Sequence, residues 1–268
     1  MRRPVITLLT DFGHRDPYVA SMKGVILSLC PEAQVVDISH EVPKFDVRAG
    51  ALILAQAAPW FPDGTVHVGV VDPGVGTARR AIVVVSRRFS FVGPDNGLLM
   101  LAAMRDGLRA VYAIERADLM LERVSRTFHG RDIFAPVAAR IASGLDPSEV
   151  GPEIKDYVVP SFAEPRLDGP VALGEVMYID GFGNIITNLP EDFLAQLGAS
   201  EGSELAIRLG DRELRVRLRS AYGEARPGEL LALIDSWGML EVAVSLGSAA
   251  ERLGVKPGER VEVRLTGR

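Results

Sequence analysis

The sequence predicts two domains: an α/β domain with a mostly parallel sheet over residues 1–162, then a smaller all-β, barrel-like domain over residues 163–268. Three observations carry this. The chain has 268 residues, beyond the size at which one core comfortably stops growing. Over roughly the first 150 residues, apolar runs of strand length alternate with runs at helical spacing, the grammar of a parallel sheet. After Pro160 the grammar changes to short apolar runs separated by Gly- and Asp-rich turns, with little helix, which suits a compact barrel or sandwich.

Element by element, Val5–Thr10 is an apolar run stopped by Asp11, Phe12 and Gly13. Helical spacing follows over Tyr18–Leu29 (Val19, Met22, Val25, Ile26, Leu29) and is closed by Pro31. Residues 34–38 read as a strand and 45–58 as a helix ending before Pro59. Residues 66–71, 81–85 and 89–92 are strands, 98–104 is helical, and 110–114 is a strand. Residues 133–143 form a helix, with Pro136 tolerated in its first turn. Residues 161–170, SFAEPRLDGP, read as a linker. Strands are expected beyond it at 171–180, 204–209, 212–219, 230–234, 240–244 and 260–265.

Composition narrows the function classes. A hydrophobic share of 47% with 24% charged residues is that of an ordinary soluble globular protein. A net charge of −5 gives no footprint for nucleic acid. The single cysteine, Cys30, excludes an internal disulfide and fits a reducing compartment. The four histidines (His14, His40, His67, His129) are scattered, so no metal site is expected. The apolar run at the N-terminus reaches Asp11 too soon for a signal peptide. No run approaches the ~18 apolar residues that span a bilayer. A cytoplasmic protein without nucleic-acid or membrane partners is expected. The GxGxxG, GxxxxGK[ST] and GxSxG motifs are absent.

Four clusters of polar residues fall at expected turns. Asp11 follows the first strand; Asp72 and Arg79 sit in VGVVDPGVGTARR; His129 sits in TFHGRDIFAP; and Asp180, Phe182, Asn184 and Asn188 sit in YIDGFGNIITN. Each has a plain structural explanation: an Asx turn or N-cap for the acids and amides, a helix-entry residue for His129, a solvated pair for Arg79 and Arg80. Together they also place carboxylates, an arginine and an imidazole where strand ends expose side chains to a polar ligand, and these are parts that orient and activate a water. The residues alone lead no further than an enzyme acting on a polar small molecule.

The ordered motifs add more. ITLLTDFG (6–13), VVDPGVGT (70–77), GPDNG (93–97), FHGRDIFAP (128–136) and YIDGFGNIITN (178–188) together resemble the S-adenosylmethionine (SAM) hydroxide adenosyltransferase family, relatives of the SAM-dependent chlorinases and fluorinase. The resemblance runs from Ile6 to about Gly254. It implies an α/β domain and a β-barrel, a homotrimer with the site between subunits, and hydrolysis of SAM or its sulfonium epimer to adenosine and L-methionine, with SAM as substrate and no cofactor. It maps the catalytic set onto Asp72, Arg79 and His129, with Asp72 or His129 as the base. It maps substrate binding onto Asp11 at the ribose, onto Phe12, onto Asp180, Phe182 and Asn184, and onto Ser236, Glu241 and Val244 in SWGMLEVAV. The rival readings are a SAM halogenase using chloride and a non-catalytic SAM- or adenosine-binding protein. Asp72 argues against the first, since a carboxylate about 4 Å from a halide repels it by about 4 kcal/mol at an effective dielectric of ~20.

Overall fold

The computed structural model describes residues 3–162 and 164–266, and the chain divides into two compact units, Met1–Pro160 and Ser161–Arg268. The expected domain boundary abuts Ala163, which lies outside the described residues.

The first unit holds a six-stranded sheet in the order β2-β1-β3-β5-β4-β6. Its strands are β1 (Val5–Thr10), β2 (Gln34–Ser39), β3 (Val66–Val70), β4 (Ala81–Val85), β5 (Ser90–Pro94) and β6 (Ala110–Ala113). β2, β1, β3 and β5 run parallel, whereas β4 is antiparallel to both of its neighbours, β5 and β6. The sheet is therefore mixed, which corrects the expectation of a mostly parallel one. The reason is local. Only four residues join β4 to β5, and Ser86 N–H closes the turn on the Phe89 carbonyl at 2.9 Å. A parallel return needs a crossover of a dozen residues or more.

Helices α1 (Tyr18–Leu29) and α4 (Ala135–Ala142) pack on each other, burying Met22, Ile26, Val137 and Ala138 against Ile6 and Leu8 of β1 and Val66, Val68 and Val70 of β3. Each fully buried Val, Leu, Ile or Met side chain among them contributes about 2 kcal/mol before the entropy of ordering it. Strand alternation turns Thr7 and Leu9 to the opposite face. α2 (Val47–Ala57) and α3 (Met100–Asp106) pack against each other and bury their apolar residues outside that cluster. Asp46 caps α2 through a 2.9 Å bond from Ala49 N–H. Pro136 sits in the first turn of α4, where the missing N–H costs nothing.

The second unit is a seven-strand path, β11-β10-β14-β8-β9-β13-β12, with β7 paired beside β8. The strands are β7 (Arg166–Asp168), β8 (Val171–Ile179), β9 (Ile185–Pro190), β10 (Glu204–Leu209), β11 (Arg212–Arg217), β12 (Leu230–Ile234), β13 (Met239–Val244) and β14 (Arg260–Leu265). Every pair is antiparallel. A lone bridge from Leu218 to Ala232 links the two ends of the path, so the sheet is nearly closed around Val176, Ile185, Leu205, Ile207, Val242 and Val263. Short α-helices α5 (Glu191–Gln196) and α6 (Ala249–Leu253) and a 3-10 turn at Tyr222–Glu224 interrupt an otherwise all-β unit. The segment read as a linker contains β7, and β9 is absent from the strands expected from sequence.

Candidate active site

Asp11 and Asp72 come from adjacent parallel strands. β1 and β3 are registered Thr10 to Val70, so their carboxyl ends stop level, and the next residues deliver Asp11 on one strand and Val71–Asp72 on the other. Carboxyl ends of parallel strands are where open α/β sheets hold ligands. Asn96 of GPDNG fixes the second of these ends: its amide N–H donates to the Val71 carbonyl at 2.8 Å while its Oδ1 accepts from Leu98 N–H at 3.1 Å. In the sequence, GPDNG stands out as a Gly- and Asx-rich turn and as one of the ordered motifs, with no role for Asn96 itself.

The turn after Asp72 then folds back. Gly76 has φ +77°, and a Cβ there would lie 2.5 Å from the Arg126 carbonyl oxygen. Only glycine allows this approach, and it sets Arg79 beside the stretch of chain leading to His129. Arg79 Nε donates to both Asp72 oxygens at 3.0 Å, and its Nη2 donates to Asp72 Oδ2 as well. The same Nη2 donates to His129 Nδ1 at 2.8 Å. The side chains of Arg79 and Asp72 are 10% and 4% exposed, so water competes little for this pair. Arg80 turns the other way, to Asp95 and Asp156. The two arginines are therefore not a solvated pair.

His129 precedes a single π-helical turn, Gly130–Phe134, a local widening that recurs at functional sites. Asp132 in that turn accepts from Ser125 N–H at 2.8 Å and from Arg131 Nε at 2.6 Å. A guanidinium offers only donors, so the lone pair of His129 points at Arg79 from Nδ1 and the ring proton sits on Nε2. Burial, and next the Arg79 charge, hold its pKa below the ordinary 6.5, against the pull of Asp72, Asp132 and the Ser125 backbone.

Asp72 and His129 border a cavity of about 380 Å³, within the range that takes a small-molecule ligand. Asp72, His129 and Asp11 line it together with the rings of Phe12, Tyr18 and Phe128. The three rings meet edge to face or tilted at 5.1–5.8 Å. Asp11 Oδ2 accepts from Phe45 N–H at 2.9 Å, and its carbonyl accepts from Lys44 Nζ. Phe45 also borders the cavity. It holds φ +66° while 69% exposed, a strained conformation for a residue with a Cβ, of the kind that clusters at ligand clamps. Sequence reasoning misses that ring, because the pattern shows it only as the start of a helix. Of the histidines, His129 alone borders this cavity. His67 is packed among Phe61, Phe89 and Phe91, where burial lowers its pKa to about 3.

In the second unit, Asp180 closes the turn between β8 and β9. Its Oδ1 accepts from Phe182 N–H and Asn184 N–H, both at 2.9 Å, and its Oδ2 accepts from Asn184 Nδ2 at 3.0 Å. The turn buries Asn184 and leaves Phe182 83% exposed. Asn188 Oδ1 accepts from Glu175 N–H at 2.7 Å, a sheet-holding contact. Ser236 is exposed in the turn that Asp235 closes by accepting from Trp237 and Met239 N–H. Glu241 and Val244 lie on β13, both buried. Val244 packs in the barrel core, and its carbonyl accepts from Gly247 N–H at 3.1 Å. Glu241 accepts from the Tyr222 hydroxyl at 2.8 Å, and its pKa is pushed up to about 7 by burial, with Asp180 and Asp235 adding to the rise. Among the described residues no group of three or more His, Cys, Asp or Glu is placed to hold a metal ion. No helix among them is long and apolar enough to cross a membrane.

Comparison with known proteins decides the family. Residues 6–151 match the SAM hydroxide adenosyltransferase N-terminal domain and residues 174–262 the C-terminal domain. The chain belongs to this family. Within it, the chain is 44% identical to a protein of Salinispora tropica named (R)-S-adenosyl-L-methionine hydrolase, over 97% of both chains. It is 43% identical to one of the same name from Thermus thermophilus, over 98% of this chain and 99% of the other. A fluorinase of Nocardia brasiliensis stands further off, at 29% identity over 98% of each chain. A crystal structure of an uncharacterized conserved protein from Thermotoga maritima superposes with a TM-score of 0.92 at 41% identity, covering 97% of this chain and 99% of that one.

Proposed function

We propose that the chain hydrolyses S-adenosyl-L-methionine to adenosine and L-methionine, with the (R) sulfonium epimer as its substrate. The observation that carries this is the hydrogen-bonded Asp72–Arg79–His129 set, whose Asp72 and His129 line a ligand-sized cavity, in a chain that shares 43–44% identity with hydrolases named for that epimer.

The chemistry asks little of an acid. The sulfonium leaves as a neutral thioether, so the enzyme must supply an oriented, partly desolvated water in line behind C5′. The water oxygen bonds to C5′, the C5′–S pair passes to the methionine sulfur, and one water proton goes to a base. Asp72 suits that role. Both its oxygens are engaged by Arg79, yet each carboxylate oxygen accepts more than one bond, and Asp72 faces the cavity. His129 has its lone pair turned to Arg79, so it serves to hold the guanidinium square on Asp72. Asp11 accepts the ribose hydroxyls, and the aromatic wall takes apolar parts of the nucleoside. Asp180, Phe182, Asn184, Ser236, Glu241 and the Val244 backbone provide the methionine and adenine contacts.

The chain acts in the cytoplasm as a homotrimer in which one subunit's second unit completes the cavity of its neighbour; the exposed Phe182 and Leu246, 83% and 91% accessible, support such a docking role. SAM is substrate and no cofactor is required. Incubating the protein with each SAM epimer, with and without chloride, tests the reading. Adenosine and methionine, unaffected by chloride, are expected. Chlorodeoxyadenosine would move the chain to the halogenases, and tight binding without turnover of either epimer would leave a SAM-binding protein.

A further inference from the structure

Against the turn that carries Asp11 lies a second set of polar side chains that the reaction above does not use. His40, just after β2, is 1% exposed, and Thr10, the last residue of β1, is fully buried. His40 Nδ1 and Thr10 Oγ1 are 2.8 Å apart. Thr10 Oγ1 also accepts from Phe12 N–H at 3.2 Å. The His40 carbonyl accepts from Gly13 N–H at 2.7 Å. On the other side of the ring, Nε2 stands 3.0 Å from Asp37 Oδ1, and Lys23 Nζ is 2.6 Å from Asp37 Oδ2. His40 thus touches the Thr10–Gly13 turn through both its ring and its main chain, and Asp11 is inside that turn.

Counting donors fixes the proton. Phe12 N–H can only donate, so Thr10 accepts there and has one hydroxyl hydrogen to give. His40 Nδ1 is its acceptor. The ring proton is then on Nε2, which lies 3.0 Å from the Asp37 carboxylate, an ion-pair distance without the alignment of a hydrogen bond; the opposite tautomer would leave the buried Thr10 hydroxyl hydrogen without a partner. Burial also favours the neutral ring, while the neighbouring charges oppose one another: Asp37 on β2 raises its pKa, whereas Lys23 on α1 and His14, whose ring meets His40 edge to face at 5.0 Å, lower it.

We propose that His40, held as its Nε2–H tautomer between Asp37 and Thr10, is a positioning residue that sets the Asp11 carboxylate toward the ribose hydroxyls of the substrate. The chain of contacts runs Lys23, Asp37, His40, Thr10, Phe12 N–H, and its end is one peptide from Asp11. Phe45 N–H holds the Asp11 carboxylate from the front; His40 and Thr10 hold its backbone from behind. This rests on the reading of Asp11 as the ribose acid.

The test compares binding of adenosine and 2′-deoxyadenosine by calorimetry in the full-length protein, with thermal unfolding measured alongside. Wild type should prefer adenosine by about tenfold or more, the scale of a hydrogen bond to a charged group. Thr10→Val and His40→Ala should cut that preference below about threefold with little change in 2′-deoxyadenosine affinity, since only the bond to the 2′-hydroxyl is lost. Thr10→Ser, which keeps the hydroxyl, should restore it. Loss of fold stability alone would weaken both nucleosides equally. Folded variants that keep the full preference overturn the proposal, as does a wild type that binds both nucleosides alike. A 15N spectrum of wild-type histidines at pH 7 checks the tautomer without any substitution: a His40 proton on Nδ1, or on both nitrogens, also overturns it. A wild type that prefers adenosine but leaves SAM intact sinks the hydrolase reading alone.

Discussion

The two carboxylates at the centre of the two candidate sets, Asp72 and Asp180, are held in opposite ways. Asp72 is gripped by the side chain of Arg79 seven residues on, itself bonded to His129 a further fifty residues away. Asp180 is gripped by its own turn, through the backbone N–H groups of Phe182 and Asn184 and the Asn184 amide. The first carboxylate depends on the tertiary fold for its charge environment and keeps a face toward a cavity. The second depends on the few residues of its own turn and shapes the loop that exposes Phe182. A charged group paired across the fold is suited to a reaction step; one absorbed by its turn is suited to presenting neighbours. Substitutions at the two should therefore fail differently.

The largest effect is expected at Asp72. Asp72→Asn keeps the size and one acceptor but cannot take a proton, so kcat for SAM hydrolysis should fall about 10²- to 10⁴-fold, the usual contribution of a positioned base, with KM changed by less than about threefold if substrate binding is spared. Steady-state kinetics checks both. A fall in kcat/KM carried by KM alone would make Asp72 a binding group and erase the contrast with Asp180. Removing the carboxylate also leaves the buried Arg79 charge unpaired, a cost of about 3–5 kcal/mol, so thermal unfolding must confirm that the variant is folded.

The pH profile sharpens the same point. His129 must be neutral to accept from Arg79, and its pKa is lowered by burial and then by Arg79. Activity should therefore be lost as pH falls through a value below the ordinary 6.5, and be flat above it. Asp72 raises that pKa, so in Asp72→Asn the acid limb of the residual activity should move lower still. A limb that stays in place would mean that another group titrates.

How far the sequence can carry this contrast follows from the same distinction. The strands ending at Asp11 and Asp72 and the Asp180 turn are written in consecutive residues, as apolar runs stopped by acids and glycines, and so are readable. The antiparallel direction of β4 is readable in principle from the four-residue step to β5, a turn too short for a crossover. What joins Asp72, Arg79 and His129 is the approach of Gly76 to Arg126, which no local pattern announces. The family resemblance names the triad; the residues themselves do not. Asn96, Phe45 and His40 escape a sequence reading because their partners are the Val71 carbonyl, Asp11 and Thr10, contacts that exist only once strand order is set.

A smaller effect, on stability, is expected at Glu241, the buried acid of the second set. Its folded pKa of about 7 lies above the ordinary 4.5. Between those values the folded chain binds a proton that the unfolded chain has released, so stability falls as pH rises through that window. Above it the whole penalty is present, on the order of 3 kcal/mol. Glu241→Gln removes the titration and keeps an acceptor for the Tyr222 hydroxyl. Its Tm should exceed that of wild type by several degrees at pH 8 and lose the advantage at pH 5. An advantage of equal size at both pH values would point to packing instead.

The smallest effect, and the one that separates the two carboxylates most directly, is at Asp180. Asp180→Asn keeps an Oδ1 for both backbone N–H groups, so the turn should hold, but its amide nitrogen replaces the oxygen that accepts from the buried Asn184 Nδ2, and stability should fall by about 1 kcal/mol. Asp180→Ala releases the Phe182 and Asn184 N–H groups and should cost about 1–2 kcal/mol, as loss of a cap does. If Asp180 also meets the substrate's amino group, even the Asp180→Asn variant, with its turn intact, should raise KM, by roughly tenfold for one charge-assisted bond, with kcat unchanged. Equal KM for the Asp180→Asn variant and wild type would confine Asp180 to its turn, and the acid that receives the methionine end would then have to be sought at Asp235 or Glu241, whose pKa values are raised by burial.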